Sequence, residues 1–426
     1  MTVPVTASSS ATPTFTPIDL LRLPNKNELC AAFVGKSLST VRTPAIVVDR
    51  TCFKTNCETM NAACVEQGIS FRTHVKTHKT VEGVRMQLEA GTGCHAVVCS
   101  TMMECWQIVR EGLVREGLVK DMLYGLPCGI DKLQDLSLLA EEMARYGAVL
   151  RLMIDNPGQI MALARNRLST GPWSIFIKVD GGGRRAGLPP KSADMRELIS
   201  VALASDDVEI FGFYSHFGQS YASSCPDEAA LFLEGEVSCV AYAAKVAIEL
   251  GAAPTRPYVL SVGATPTAHA VDSLHAVNLP GVIELHAGNY CCLDLQQIAT
   301  KMVTLERVAT SVLTHVISLY PHRQEAMCDA AAIAMARDAG PIPGFGRVVY
   351  PTNAVGWGLG RMSQEHGTLV QTEGETGRCA RDLELGEMLR IVGQHACVTL
   401  AAHPWFYCVD DGGDIITDVW VPWKGW

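Results

Sequence analysis

The chain has 426 residues, 48% of them hydrophobic, and a formal net charge of −9. That content is enough for sizeable globular cores, one large or two ordinary. An acidic balance without basic blocks excludes nucleic acid or an anionic membrane surface as the natural partner, which leaves small-molecule chemistry. No apolar run reaches the length of a membrane span, and the opening MTVPVTASSSATPTFTP lacks the basic start and apolar middle of a secretory signal. A mitochondrial presequence is the alternative, but Arg22 is the first basic residue, so the expectation is a cytoplasmic protein. Its 16 cysteines are then reduced thiols, most of them small core residues, since no Cys-x-x-Cys pair occurs.

Residues 1–17 are rich in Ser, Thr and Pro and read as a disordered tail. After it, short β-rich runs alternate with helical patterns. The strands are TPAIVVD, FRTHVKT, HAVVCS, DMLYGLP, AVLRLMID, SIFIKVD, VEIFGFYSH, YVLSVGATP and GVIELHAGNY. Between them, segments such as DKLQDLSLLAEEMARYG and DEAALFLEGEVSCVAYAAKVAIEL carry apolar residues at three- and four-residue intervals, as helices do. Repeated β-α alternation predicts a parallel sheet, and this many units predict a closed (β/α)8 barrel, with an open doubly wound sheet as the alternative. From about residue 305 the texture changes to strand-like runs (KMVTLERVATSVLTHVISLY, GEMLRIVGQHACVTLAA, IITDVWVPW) broken by Gly, Pro and Asp. A second, mostly β domain is predicted there, packed against the first because no flexible linker joins them.

In FRTHVKTHKT, alternation sends Phe71, Thr73, Val75 and Thr77 to one face and Arg72, His74, Lys76 and His78 to the other. A cationic strand face cannot be buried without partners. Lys76 closes this strand, where a barrel keeps its chemistry. A primary amine held out of water near other cations is equipped to attack an aldehyde, although a surface lysine would read the same. SVGATPT, residues 261–267, offers consecutive backbone N–H groups in a small-residue turn, which suits a phosphate monoester and lies after a late strand, where barrels hold phosphates. Small-residue turns of this kind are also common without a ligand. A lysine at one strand end and a phosphate nest at another together point to pyridoxal 5′-phosphate (PLP). In GQHACVT, read as a strand, His395 and Cys397 share a face, and imidazole with thiolate is a pair that favours Zn2+; otherwise they are two core residues. Two ligands fall short of the usual three, so water or substrate would complete the shell.

The ordered set TPAIVVDR, FRTHVKTHKT, IKVDGGGRRAGL, FYSHFGQSY, LSVGATPT, ELHAGNY, SQEHG and QHAC resembles the D-serine dehydratase / D-threonine aldolase family of PLP enzymes, from about residue 20 to the C-terminus. The resemblance implies the alanine racemase-like fold, with a barrel over 51–305 and a second domain made of 18–50 and 306–426. The opening TPAIVVD strand then belongs with the β domain. It implies that Lys76 holds PLP as a Schiff base, that Gly263, Ala264 and Thr265 hold its phosphate, and that Tyr214, His286 and Tyr290 are further cofactor contacts. His286 falls where the related racemases place an arginine beside the pyridine nitrogen, which leaves the partner of that nitrogen open. The His-x-Cys pair falls on His395 and Cys397 as zinc ligands, and the cysteine favours a dehydratase over an aldolase. DAAAIA departs from the pattern, which has a glycine at the position of Ala331.

The implied reaction is β-elimination from a D-β-hydroxy amino acid, D-serine to pyruvate and ammonia, with Lys76 as the base. The alternatives are retro-aldol cleavage with His216 as the base, a D-3-hydroxyaspartate dehydratase, and a non-catalytic PLP carrier, which would need no metal pair. A homodimer is implied as well. Arg72 and His74 are expected deeper on the face of Lys76, while His78 and Lys79, beyond the strand end, read as solvated loop or as substrate contacts.

Overall fold

The computed structural model describes residues 21–91, 93–274, 278–372 and 381–426. The expected tail at 1–17 lies outside the described residues. The first strand, β1 (Ala45–Asp49), is followed by eight that close a parallel barrel: β2 (Ser70–His74), β3 (Ala96–Cys99), β4 (Asp121–Pro127), β5 (Val149–Ile154), β6 (Trp173–Val179), β7 (Val208–Ser215), β8 (Tyr258–Val262) and β9 (Gly281–Ala287). Each corresponds to one of the runs read from the sequence. Parallel strands covered by helices are buried on both faces, so their apolar runs are nearly continuous; β6 is buried throughout. The barrel closes where β9 pairs with β2, setting Arg72 opposite His286.

Helix starts are marked by side-chain caps. Thr80 caps Val81–Glu89, Thr101 caps Met102–Arg110, and Ser192 caps Ala193–Leu203, each accepting a backbone N–H of the first turn. The caps lie just past strand ends or on the loops that follow them, and so help to set where each helix begins.

The remaining strands are β10 (Thr310–Tyr320), β11 (Glu325–Cys328), β12 (Gly346–Tyr350), β13 (Trp357–Met362), β14 (Gly367–Gln371), β15 (Met388–Gly393), β16 (Phe406–Val409) and β17 (Asp418–Trp420). They form a mixed, mostly antiparallel sheet in the order β11-β14-β13-β12-β15-β10-β1-β16-β17. Strand β1 thus lies in this second sheet, antiparallel to β10 and parallel to β16. Residues 301–309, read as strand, are turn and 3-10 helix before β10. Ala331, where the family pattern has glycine, has φ −140°, outside the positive-φ region in which glycine is favoured.

The cationic face of β2 has its partners. Inside the barrel, Arg72 is fully buried and bonds Glu284 of β9 (Nε to Oε1, 2.8 Å; Nη2 to Oε2, 3.0 Å) and Asp121 of β4 (2.7 Å). Burial opposes its charge, but the two carboxylates outweigh this and raise its pKa. Arg151 of β5 completes the cluster on Asp121 at 2.7 Å. All the described cysteines are free thiols, most of them buried.

Candidate active site

At the C-terminal ends of the barrel strands lies a cavity of about 350 Å3 whose lining includes Lys76, Tyr214, Gly263, Ala264, Thr265 and His286. Six of the nine site residues read from the sequence therefore share one space. Strand β2 ends at His74, so Lys76 sits two residues beyond it, in the first turn of the loop, half-buried. His74 lines the same cavity and bonds Ser100 at 3.3 Å through Nε2.

The cradle after β8 depends on backbone shape. Gly263 has φ +140°, and a Cβ there would lie 2.1 Å from the carbonyl oxygen of His286, so only glycine lets β8 and β9 come together at this point. The N–H of Ala264 is taken by the Thr267 hydroxyl at 2.8 Å, while the Thr265 hydroxyl is buried without a partner. Behind the cradle, Glu236 of the helix Pro226–Glu249 accepts the Phe217 N–H at 2.5 Å and the Thr267 hydroxyl at 3.0 Å. Burial raises its carboxyl to about 7 in spite of these bonds.

The floor is aromatic. The rings of Tyr214 and His286 stack at 4.0 Å and 12°, and the Lys178 amine stands 4.4 Å from the Tyr214 centroid. Burial, helped by Arg185, lowers Lys178 to about 7. His216 gives its Nδ1–H to the Gly263 carbonyl at 2.7 Å, because a carbonyl can only accept; Nε2 is left as a lone pair. Burial first, then the cations Lys178 and Lys76, hold this imidazole well below its usual range.

The His-x-Cys pair is not on a strand. Strand β15 stops at Gly393, and His395 is the N-cap of a one-turn helix, Ala396–Thr399, that carries Cys397. The reason is tertiary: Asp294, from the barrel side, accepts the Ala396 N–H at 2.8 Å and the Gln297 N–H at 3.1 Å. His395 Nδ1 donates to Asp338 at 2.8 Å. Burial disfavours its charge, but the bond to Cys397, the fields of Cys397 and Asp294 and the bond to Asp338 prevail and raise it to about 9. Cys397 Sγ lies 3.1 Å from Thr77 Oγ1, one residue from Lys76. The Tyr221 ring, on the cavity wall, comes within 6.5 Å of His395. The pair therefore adjoins the lysine although it follows a strand of the other sheet.

Three further placements differ from the sequence reading. Tyr290 lies behind the barrel wall, fully buried, with its hydroxyl 3.1 Å from Thr73 Oγ1 and its ring edge-on to Phe71; it does not line the cavity. His78 is neither solvated loop nor substrate contact: it is buried between Thr80 and Gln87, with both ring nitrogens engaged at 3.1 Å. Lys79 pairs with buried Glu104 at 3.0 Å. The sequence reading also passed over Lys178, Arg185 and Tyr221. Lys178 carried the signal that singled out Lys76, a lysine near the end of an apolar barrel strand. Arg185 stands on a loop and Tyr221 in the 3-10 helix Gly218–Ala222; both lie inside segments that carried the family resemblance, but nothing in those segments set them apart from their neighbours.

An eight-stranded parallel barrel joined to a second β sheet, with a lysine and a small-residue cradle at its mouth, defines the alanine racemase-like class. Family models agree over both parts: "Alanine racemase, N-terminal domain" matches residues 48–282 and "Putative serine dehydratase domain" matches residues 309–409. The chain is 42% identical to D-serine dehydratase of Schizosaccharomyces pombe, over 94% of this chain and 96% of that protein. It superposes on the solved D-threo-3-hydroxyaspartate dehydratase from Delftia sp. HT23 with a TM-score of 0.78 at 29% identity, covering 92% of this chain and 100% of that one. It matches equally well a cysteine-to-alanine variant of the same enzyme in the metal-free form, with a TM-score of 0.78, 29% identity and the same coverage. The chain belongs to the D-serine dehydratase family, on the alanine racemase-like fold.

Proposed function

We propose that this protein is a PLP- and zinc-dependent lyase that removes water from a D-β-hydroxy amino acid, D-serine first among them, to give a 2-keto acid and ammonia. The observation that carries the reading is one cavity in which a half-buried lysine, Lys76, faces a glycine-dependent cradle with an unpartnered hydroxyl on Thr265, beside an imidazole–thiol pair. These residues fit PLP. Lys76 is the amine for its aldehyde; in the turn Gly263, Ala264 and Thr265, which would receive its phosphate, the Thr265 hydroxyl is the open donor while the Ala264 N–H is held by Thr267, and Tyr214 and His286 form the floor. Tyr290, behind the wall, has no such part. When bound, PLP supplies an electron sink for the pair left as the α-proton departs.

The metal pair fits as well, as an imidazole and a thiol side by side, a donor set suited to zinc. Among the described residues no third His, Cys, Asp or Glu joins them, so water or substrate would fill the shell. Bound there, zinc would supply Lewis acidity to the β-oxygen, needed because hydroxide is a poor leaving group. The protein's own part is positional. Lys76, at the mouth of the barrel, would be the base for the α-proton. His216, neutral and with Nε2 open, supports a second reading, retro-aldol cleavage to glycine and an aldehyde.

The site division follows the sheets: we assign 51–305 to the barrel unit and 18–50 with 306–426 to the other, supported by β1 lying beside β10 and β16. A homodimer is part of the proposal, supported by Leu126 on the cavity wall and Val398 beside Cys397, both apolar and exposed. Among the described residues no helix is long and apolar enough to cross a membrane, and the cytoplasm is the proposed compartment. Incubation with D-serine, D-threonine and D-3-hydroxyaspartate, with assay of keto acid, ammonia and aldehyde, tests the reaction. Aldehyde and glycine without keto acid would overturn the dehydratase reading.

A further inference from the structure

A chain of buried hydrogen bonds runs over the adjoining strands β2, β9 and β8 and ends at the cavity. Arg72 holds the carboxylate of Glu284 through both of its oxygens. Ser261 Oγ lies 2.8 Å from Glu284 Oε1 and 3.0 Å from His286 Nδ1. A hydroxyl has one proton, and an ionised carboxylate can only accept, so Ser261 donates to Glu284. Its oxygen can then only receive, and His286 must carry its proton on Nδ1. The ring is neutral: burial, followed by His216, Lys178, His74 and Arg72, holds it well below its usual range. A neutral imidazole protonated on Nδ1 has a bare Nε2, which is an acceptor. That atom is buried and has no partner, and the stacked Tyr214 ring fixes the plane in which it points. A buried acceptor without a donor is a standing cost, which a ligand can remove.

We propose that the donor His286 awaits is the ring nitrogen of PLP, held in its protonated, pyridinium form by the relay Arg72, Glu284, Ser261 and His286. The proposal rests on the reading that PLP occupies this cavity. Chemistry singles out the atom. The cofactor's aldehyde goes to Lys76, its phosphate and phenolate oxygens accept, and a protonated ring nitrogen is the single donor it can offer. An unprotonated nitrogen would set two lone pairs against each other. A pyridinium is also the stronger electron sink, which suits loss of a leaving group as poor as hydroxide.

The test compares PLP with 1-deaza-PLP, in which a C–H replaces the ring nitrogen, by measuring the dissociation constant of each for the apoprotein. The wild type should prefer PLP roughly tenfold or more, as for a hydrogen bond to a charged group, and His286→Phe should reduce the preference below about twofold, the loss of that one bond. Independently of any variant at this buried position, PLP labelled with 15N in the ring should resonate at the protonated position in the wild-type holoenzyme. Ser261→Ala, which frees the imidazole to change tautomer, should move that resonance toward the free base. Equal affinity of the wild type for the two cofactors, or a free-base resonance, overturns the proposal while leaving the cofactor reading intact. Failure of the wild type to take up PLP at all overturns both.

Discussion

Replacing Arg72 with methionine tests whether the barrel interior is held by its ion cluster. The side chain is fully buried, so the substitution keeps most of the volume and removes only the charge and its bonds. Asp121 keeps Arg151 at 2.7 Å, but Glu284, itself buried, loses both guanidinium bonds and keeps only the Ser261 hydroxyl. Breaking a buried pair from one side costs about 3–5 kcal/mol, because the remaining charge is uncompensated. With about 2.1 cal/mol/K of unfolding entropy per residue, a chain of this length loses about 1 °C per kcal/mol, so Tm should fall by about 3–6 °C in a scan of the holoprotein. The double variant Arg72→Met with Glu284→Gln removes the orphaned charge as well and should recover part of that loss. A single variant as stable as its parent, or a double variant less stable than the single, would refute the idea that Glu284 is held as a charge by Arg72.

Lys76→Ala should abolish the yellow colour and visible absorbance of the isolated protein together with turnover, and borohydride treatment of the wild type should label Lys76; a label on Lys178 instead would reassign the anchor. Chelation should leave the visible band in place and abolish pyruvate formation from D-serine, added zinc should restore it, and Cys397→Ala should match the chelated protein. Unchanged dehydration in both would make His395 and Cys397 core residues. Burial raises the Glu236 carboxyl from 4.5 to about 7, so between these values the native state binds a proton that the unfolded chain has released, and stability falls as pH rises. Glu236→Gln lacks that slope; from about pH 5 to about pH 8 the stability difference should move in the variant's favour by about 2–3 kcal/mol, and a flat difference in denaturation midpoints would show that the carboxyl does not titrate there.

The nine strand-like runs up to residue 287 were legible in the sequence for a physical reason. A parallel barrel strand is buried on both faces, so its composition announces it without help from its neighbours. Lys76 stood out because a lysine at the end of such a run asks for a purpose; Gly263 stood out only as part of a small-residue turn, and its close approach to the His286 carbonyl belongs to the tertiary structure. What composition cannot carry is partnership across the chain. That β1 joins β10 and β16 rather than the barrel wall follows from hydrogen bonds to residues more than 250 positions away. His395 and Cys397 stand at the start of a helix, not on a strand, because Asp294, 102 residues earlier, takes the Ala396 N–H. The charge on Arg72 is tolerated because closing the barrel brings Glu284 of β9 beside it, and the pairing of β8 with β9 sets Ser261 against His286 and so decides which imidazole nitrogen is bare. Local pattern determined where the barrel strands and Lys76 lie; the closure of the barrel and its docking on the second sheet decided which groups face one another and which of them carry protons.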